Sequence, residues 1–314
     1  MTSEISPNDM RFWQKRFLKL REEIATRVVG QDELLNILLM ALLCEGHVLL
    51  IGAPGMGKSL VLRALAETLS LNLRSVMHQA NFVGTNLLLV EELDRTEPVF
   101  RRELLTAMQE KECIFQEEVL YLARPFLVFA TLNPGGDGRR DALTQAEKDR
   151  FLFSYQIPYP SKDEERIILQ RLRNPKQEQK NLQKILSAND LITLQRQVKA
   201  LPLEPLVENR ILRILESSRK SFSDTQPNLD TDPALLDNPL QLSLMSLKQK
   251  NSTEKRPPVE ENFSHVPPNL STRTGIGLMQ AAQAHAFVKG YKKARIEDLL
   301  AVEPLVLSHR QFRR

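Results

Sequence analysis

Apolar positions along the first half of the chain predict short strands separated by amphipathic helices. The predicted strands are 47–51, 73–77, 87–90, 125–131 and 154–157. The predicted helices are 12–25, 33–44, 60–69 and 101–110, and 113–122 predicts a hairpin. The first strand is short and apolar throughout, which is typical of a strand buried in a parallel sheet.

From residue 162 onwards the pattern is helical. It predicts helices at 163–173, 191–198, 206–220, 274–289 and 296–307. The stretch 223–268 holds seven prolines and one aromatic residue, Phe263, so it buries too little apolar surface to fold alone and is predicted to be disordered. These changes divide the chain into an N-terminal helix (1–27), a strand-containing core (28–160) and a helical domain (161–314).

Composition and charge narrow the class of protein. The chain has 314 residues and 42% apolar content, enough for about two domains. Its net charge of +4 is spread along the sequence, so nothing supports binding to nucleic acid. Cys44 and Cys113 lack CxxC spacing, and the polar N-terminus lacks a signal segment. Because the longest apolar run, 34–44, is too short to span a bilayer, we expect a soluble cytoplasmic protein.

Residues 52–59, Gly-Ala-Pro-Gly-Met-Gly-Lys-Ser, match the spacing G-x-x-x-x-G-K-[ST] at every fixed position. The glycines let backbone N–H groups converge on phosphate oxygens, Lys58 adds a positive charge, and the Ser59 hydroxyl can reach Mg²⁺. Because a strand precedes this loop and a helix follows it, a glycine-rich turn that binds nothing is the weaker interpretation. The predicted nucleotide-binding residues are Gly52, Pro54, Gly55, Met56, Gly57, Lys58, Ser59 and Leu60.

Polar residues follow two further predicted strands. Glu91 and Glu92 come directly after 87–90, in the general form of the strand that supplies the metal ligand and the water-activating acid in P-loop ATPases. Asn133 follows the fourth strand and lies beside the acids if these strands are neighbours. Ligands bind at the carboxyl ends of parallel strands, so these residues predict a catalytic edge. A solvent-exposed acidic strand end is the alternative.

Taken in order, the motifs resemble those of the MoxR-type AAA+ ATPases, over about three quarters of the chain. The matching segments are 28–31, 52–59, 87–95, 107–110, 130–134, 149–151, 159–161 and 271–273. The resemblance implies an α/β fold in which a P-loop parallel-sheet αβα core carries a C-terminal all-α lid. It also implies a ring, usually a hexamer, with the nucleotide between lid and core at the subunit boundary.

The resemblance further implies ATP and Mg²⁺ as cofactors. Lys58 and Ser59 would hold phosphate and metal, with Glu91 as a second metal ligand. Glu92 would polarise the attacking water, and Asn133 would orient that water as the first sensor.

Two arginines also match family motifs. Arg150 would be the arginine finger that reaches into a neighbour's site, and Arg273 the second sensor on the lid. An arginine supplied in trans would couple assembly to hydrolysis. For both residues, surface salt bridges are the ordinary alternative.

The sequence departs from the family pattern in three places. Glu91 stands where the family has Asp, one methylene longer at a metal that tolerates little geometric error. Asp94 replaces an Asn and is expected to add negative charge near the phosphates. The crossover 79–86 spans at most about 28 Å, too little for a covering helix. It lacks the family's helix and pore insertion, so one face of the sheet is expected to stay bare unless the N-terminal helix or a partner covers it.

These features favour an ATPase that remodels or matures a protein client with a partner bearing a von Willebrand factor A domain. A nucleotide-binding scaffold with weak or no hydrolysis is the second hypothesis, because of Glu91, Asp94 and the short crossover. A DNA-acting AAA+ motor ranks third, since no winged-helix or basic-aromatic stretch follows the predicted lid.

Overall fold

The computed structural model describes residues 7–76, 82–115, 118–133, 143–173, 181–223, 266–267 and 270–310. Helices alternate with strands in the first half, and helices make up the second half. The elements of the first half are α1 (Pro7–Ala25), α2 (Asp32–Cys44), β1 (Val48–Ile51), α3 (Lys58–Thr68), β2 (Leu73–Val76), β3 (Leu87–Val90), α4 (Pro98–Glu110), β4 (Glu112–Phe115), β5 (Glu118–Tyr121), β6 (Leu127–Leu132), α5 (Gln145–Lys148) and β7 (Phe153–Gln156). The second half contains α6 (Lys162–Arg173), α7 (Ala188–Lys199), α8 (Pro205–Ser223), α9 (Thr272–Lys289), α10 (Ile296–Leu307) and a 3₁₀ turn (Ser308–Arg310).

A five-stranded parallel sheet with the order β2-β3-β6-β1-β7 forms the centre of the first half. All five predicted strands are confirmed to within two residues, and β4 and β5 form the predicted hairpin. β6 lies between β1 and β3, so the carboxyl ends of these three strands are adjacent. The α/β class is confirmed, and the residues that follow β1, β3 and β6 meet at one edge of the sheet, as the motifs predict.

Apolar side chains of the sheet alternate between two buried clusters, one on each face. One cluster joins the sheet to α1, α2, α3 and the helices of the second half. The other packs the opposite face against Phe100, Leu104 and Met108 of α4, together with Phe82 and Phe126. The expectation that one face stays bare unless the N-terminal helix or a partner covers it is therefore wrong, because α4 takes that place.

The short connection between β2 and β3 contains turns and no helix in its described part, residues 82–86. Phe82, the first residue of this part, is buried. The side chain of Asn86 ties the connection down, since its Oδ1 accepts from the Asn72 N–H at 3.1 Å and its Nδ2 donates to the Pro125 carbonyl oxygen at 3.0 Å. These two hydrogen bonds hold the connection against the residues that precede β2 and β6.

The N-terminal helix packs onto the protein by one apolar stripe. Trp13, Phe17, Leu20 and Ile24 are buried at helical spacing, and the Phe17 ring lies edge-on to Phe287 of α9, 6.0 Å between centroids. The predicted amphipathic helix is therefore confirmed.

The helices of the second half form an all-α unit around α9. Gly275 and Gly277 permit its close packing, because a Cβ atom on them would lie 2.9 Å from Leu215 and 2.8 Å from Leu152, respectively. Of the predicted disordered segment 223–268, only Ser223, Val266 and Pro267 are among the described residues. The boundaries of the three predicted domains stay predictions. None of the described helices is long and apolar enough to cross a membrane.

His47 is a buried structural residue that joins the start of β1 to its neighbours. Its Nδ1 accepts from the Val128 N–H at 2.9 Å, and its Nε2 lies 3.3 Å from the Met108 carbonyl oxygen, to which it donates. Burial, followed by the charge of Lys111, lowers the pKa of His47 to about 3. The imidazole is therefore neutral at physiological pH, as its two hydrogen bonds require.

This histidine makes the protein sensitive to acid. In the unfolded chain His47 binds a proton below its ordinary pKa of 6.5, whereas in the folded protein it stays neutral down to about pH 3. The free energy of unfolding therefore falls as the pH drops from 6.5 toward 3. The contribution of His47 is about 1.4 kcal/mol per pH unit. Urea unfolding at pH 6.5 and at pH 5 should therefore show a steeper loss of stability for the wild type than for His47→Gln. Equal losses in both proteins would contradict this assignment.

Candidate functional site

The glycine-rich loop joins the end of β1 to the start of α3, as predicted. Gly55 and Gly57 have φ angles of 81° and 77°, in the left-handed region that favours glycine. Nothing lies within 4 Å of a Cβ atom built on either residue, so backbone conformation rather than crowding requires glycine here. The loop thereby leads directly into the N-terminus of an eleven-residue helix, whose free N–H groups and dipole favour an anion.

Lys58 folds back over this loop. Its Nζ donates to the carbonyl oxygens of Gly52 at 2.7 Å and Ala53 at 2.9 Å. Burial lowers the pKa of Lys58, and the nearby charges of Glu91 and Glu92 act in the opposite direction. The ammonium group thus lies between the loop and the acids, where a phosphate group would offer it a charged acceptor.

The loop and the two strand ends enclose one cleft of about 330 Å³. The strand order therefore brings the core residues predicted for the site together. The cleft is lined by Gly52, Pro54, Gly55, Met56, Gly57, Lys58, Ser59, Leu60, Glu91, Glu92, Thr131, Leu132 and Asn133.

The two acids have different partners. Glu91 Oε1 accepts from Ser75 Oγ at 3.0 Å, while Glu92 Oε2 accepts from Arg95 Nη1 at 2.7 Å. The backbone of Glu92 is left-handed, with φ 51°, and its N–H donates to Thr131 Oγ1 at 2.9 Å. Both acids line the cleft, and each carboxylate accepts a hydrogen bond from one described side chain.

Thr131 is a member of the cleft that the sequence reasoning missed. It lines the cleft and fixes the backbone of Glu92 through its hydroxyl group. In the sequence, the feature that marks Thr131 is its position as a lone hydroxyl residue near the end of an otherwise apolar strand.

The cleft suits Mg²⁺ if the metal binds together with a nucleotide. Among the described residues, no group of three or more His, Cys, Asp or Glu side chains converges as a metal cage. Mg²⁺ does not need one, because it is commonly held by one or two protein oxygens together with substrate phosphates and water. Ser59 and Glu91 supply such oxygens at the cleft, so the residues present fit this metal.

Asp94 differs from the sequence expectation. It lies in a second 3₁₀ turn, Leu93–Arg95, directly after the acids, and is not among the described residues that line the cleft. Its Oδ1 is buried and has no hydrogen-bond partner in the described part of the chain. The Asp94 carboxylate, expected to lie near the phosphates, is therefore not among the charges that line the cleft in the described part of the chain.

The turn at 28–31 borders the phosphate loop. Gln31 Nε2 donates to the Met56 carbonyl oxygen at 3.4 Å, and Gly30 lies against the side chain of Glu164 near the start of α6. The turn therefore lies between the phosphate loop and the start of α6.

Arg150 and Arg273 lie in a second cavity, of about 440 Å³, and not in the cleft of Lys58. This cavity includes Gly46 and His47, which precede β1, whereas the phosphate loop follows β1. The resemblance makes Arg273 the second sensor on the lid. In the folded subunit it lies with Arg150 in the second cavity, at the opposite edge of the sheet.

Arg150 is poised to accept a charged partner. Its Nη1 is buried and has no hydrogen-bond partner among the residues that the structure describes. Burial lowers the pKa of Arg150, and the charge of Arg273 lowers it further. An anion brought to this cavity would satisfy the buried donor and offset the repulsion between the two arginines.

Family models match most of the described chain. The model of the ATPase family associated with various cellular activities (AAA) matches residues 75–153. The MoxR domain of MoxR-vWA-beta-propeller ternary systems matches residues 15–84, and the AAA lid domain matches residues 269–314. The three matches follow one another in the order of core and lid.

Two relatives and one solved structure are similar to this chain over most of its length. Chaperone MoxR1 of Mycobacterium tuberculosis is 28% identical over 92% of this chain and 73% of its own length. Protein YeaC of Bacillus subtilis is 26% identical over 94% of this chain and 86% of its own. A crystal structure of a Cytophaga hutchinsonii protein shares the fold, with a TM-score of 0.74 and 24% identity over 96% of this chain and 88% of that one.

Proposed function

Because the chain belongs to the MoxR-type AAA+ ATPases, we propose that it binds ATP and hydrolyses it to ADP and phosphate in the cleft beside β1. One observation carries the proposal: the phosphate loop, both acids and Asn133 line a single cleft. Each of these groups has a defined place in phosphoryl transfer to water, and the fold brings them together from three separate strand ends.

In the proposed reaction, water attacks the γ-phosphate and ADP leaves. The loop N–H groups and Lys58 stabilise negative charge on the phosphate oxygens. Glu92 accepts a proton from the attacking water, and Asn133 orients that water. Mg²⁺, held by Ser59 and Glu91, would supply charge neutralisation at the phosphates.

Phosphate release under steady-state conditions tests the proposal. Wild-type protein with ATP and Mg²⁺ should turn over at least about a hundredfold faster than Glu92→Gln, because the amide cannot take the proton. Equal rates in the two proteins, with ATP binding retained, would favour the nucleotide-binding scaffold. The contacts Ser75–Glu91 and Arg95–Glu92 are the observations that support this second candidate, since each occupies an acid that the reaction needs.

The Arg95–Glu92 contact leads to a separate prediction. Both side chains are partly exposed, so the ion pair contributes at most about 1 kcal/mol. Arg95→Gln should free the carboxylate and raise kcat by up to about fivefold, with little change in the KM for ATP. A lower kcat at unchanged KM would mean instead that Arg95 holds Glu92 in its working position.

We further propose that Arg150 and Arg273 serve the nucleotide of a neighbouring subunit. The two cavities lie at opposite ends of β1, whose four residues span about 13 Å. Contacts between unlike faces join subunits head to tail and close into a ring, for which the family suggests a hexamer. Particle mass measured with and without ATP tests this assembly.

The proposed role of such a ring is remodelling or maturation of a protein client. The support is the match to the MoxR domain of MoxR-vWA-beta-propeller systems and to a relative named as a chaperone. A protein with a von Willebrand factor A domain is the proposed partner. Stimulation of ATP turnover by that partner would test the pairing.

A further inference from the structure

Arg310 lies in the 3₁₀ turn directly after α10 and is almost fully buried, with 2% of its surface exposed. Its Nε donates to Asp149 Oδ1 at 2.8 Å, and its Nη2 donates to the Phe151 carbonyl oxygen at 2.8 Å. Its Nη1 donates to the Val306 carbonyl oxygen within the preceding helix. One guanidinium group therefore binds the residues on both sides of Arg150.

Three neighbouring contacts reinforce this attachment. His309 Nε2 donates to the same Phe151 carbonyl oxygen at 3.0 Å. Gln145 Nε2 donates to the Arg310 carbonyl oxygen at 3.1 Å, and Ser271 Oγ donates to Asp149 Oδ2 at 3.4 Å. The core segment 149–151 is thus fastened to the start of α9 and to the turn after α10, which both belong to the helical domain.

The Arg150 side chain contrasts with its well-anchored backbone. Its Nη1 is buried without a hydrogen-bond partner in the described ranges. The position of this donor relative to a neighbouring subunit is therefore set mainly by where residues 149–151 are held. That position in turn depends on the helical domain, through Arg310.

We infer that Arg310 is a positioning residue, which makes the reach of Arg150 into the neighbouring subunit depend on the position of the helical domain. The inference rests on the proposed function of Arg150 as an arginine supplied in trans. Arginine suits this task because its planar fork binds a carboxylate and a carbonyl at fixed angles, which the single ammonium of lysine does not. A displacement of about 1 Å in a catalytic group lowers the rate about a hundredfold.

Mixing experiments test the inference. Arg310→Gln alone should lower kcat about a hundredfold and leave the KM for ATP within about twofold of wild type, because its own cleft is intact. A one-to-one mixture with Glu92→Gln subunits should recover activity, to about a quarter of the wild-type rate under random mixing. In that mixture, Glu92→Gln subunits carry an intact Asp149–Arg310 pair and donate Arg150 to the clefts of the Arg310→Gln subunits.

Asp149→Asn is the companion variant, because it breaks the same ion pair on a side chain that is 27% exposed and is less prone to misfold. It should show the same loss and the same recovery, even if Arg310→Gln fails to fold. Arg196→Gln, which changes an exposed arginine on α7, is the matched control and should behave as wild type.

Two results would overturn the inference: full activity of both variants while Arg150→Ala is inactive, or a loss that mixing does not restore in assembled particles. The second result would mean that Arg310 acts only within its own subunit. Full activity of Arg150→Ala is a different failure, because it would overturn the proposed function of Arg150 itself.

Discussion

Lys58→Ala should remove most of the heat of ATP binding in a calorimetric titration. The substitution deletes the one ammonium group among the described residues that line the cleft, and a hydrogen bond to a charged group of this kind is worth about 3 kcal/mol, or about a hundredfold in Kd. Phosphate release should fall with it. Because the hydrogen bonds that Lys58 Nζ makes in the described part of the chain go to carbonyl oxygens of its own loop, the fold should survive the change.

A matched control is Lys199→Ala, which removes an exposed lysine from α7 and should bind ATP as wild type does. Circular dichroism of both variants checks that they are folded. If Lys58→Ala and wild-type protein gave the same Kd for ATP, the cleft described above would not be the nucleotide site.

Arg150→Ala should nearly abolish hydrolysis while leaving ATP binding to each subunit unchanged. An arginine supplied in trans raises the rate of phosphoryl transfer by about a thousandfold or more. Arg150 lies far from its own cleft, so its loss should be felt only across a subunit boundary. A one-to-one mixture with Glu92→Gln should therefore regain about a quarter of the wild-type rate, the share of boundaries that join an intact cleft to an intact arginine.

As a further control, Arg150→Ala is mixed with Lys58→Ala instead of with Glu92→Gln. This mixture should recover activity only to the extent that subunits without bound nucleotide still assemble. Particle mass is measured on each mixture. Absence of recovery in mixtures of full-size particles would contradict a shared site.

Much of the core was predictable because its signals are local. The strand before Gly52 and the helix after Ser59 are set by a few consecutive residues each, and the glycines report a backbone conformation that other residues avoid. The adjacency of Asn133 to the acids followed from one rule about parallel strands, once β3 and β6 proved to be neighbours.

The remaining features depend on contacts between distant residues, which periodicity does not reveal. Arg310 and Asp149 are 161 positions apart, and no local pattern marks them as partners. The common cavity of Arg150 and Arg273 likewise arises from the docking of the helical domain on the core. The length of the crossover between β2 and β3 does not reveal the cover of the sheet, because the covering helix, α4, follows β3 instead of preceding it.

The single strand β1 has one cavity at its beginning and the other at its end. Because all four residues of β1 are paired with β6 on one side and with β7 on the other, we expect a displacement at the phosphate loop to be transmitted along β1 to His47 and the arginine edge. In a closed ring of such subunits, hydrolysis in one cleft would therefore also change the position of the arginines that serve the neighbouring cleft. This geometry favours ATP hydrolysis in sequence around the ring rather than at random.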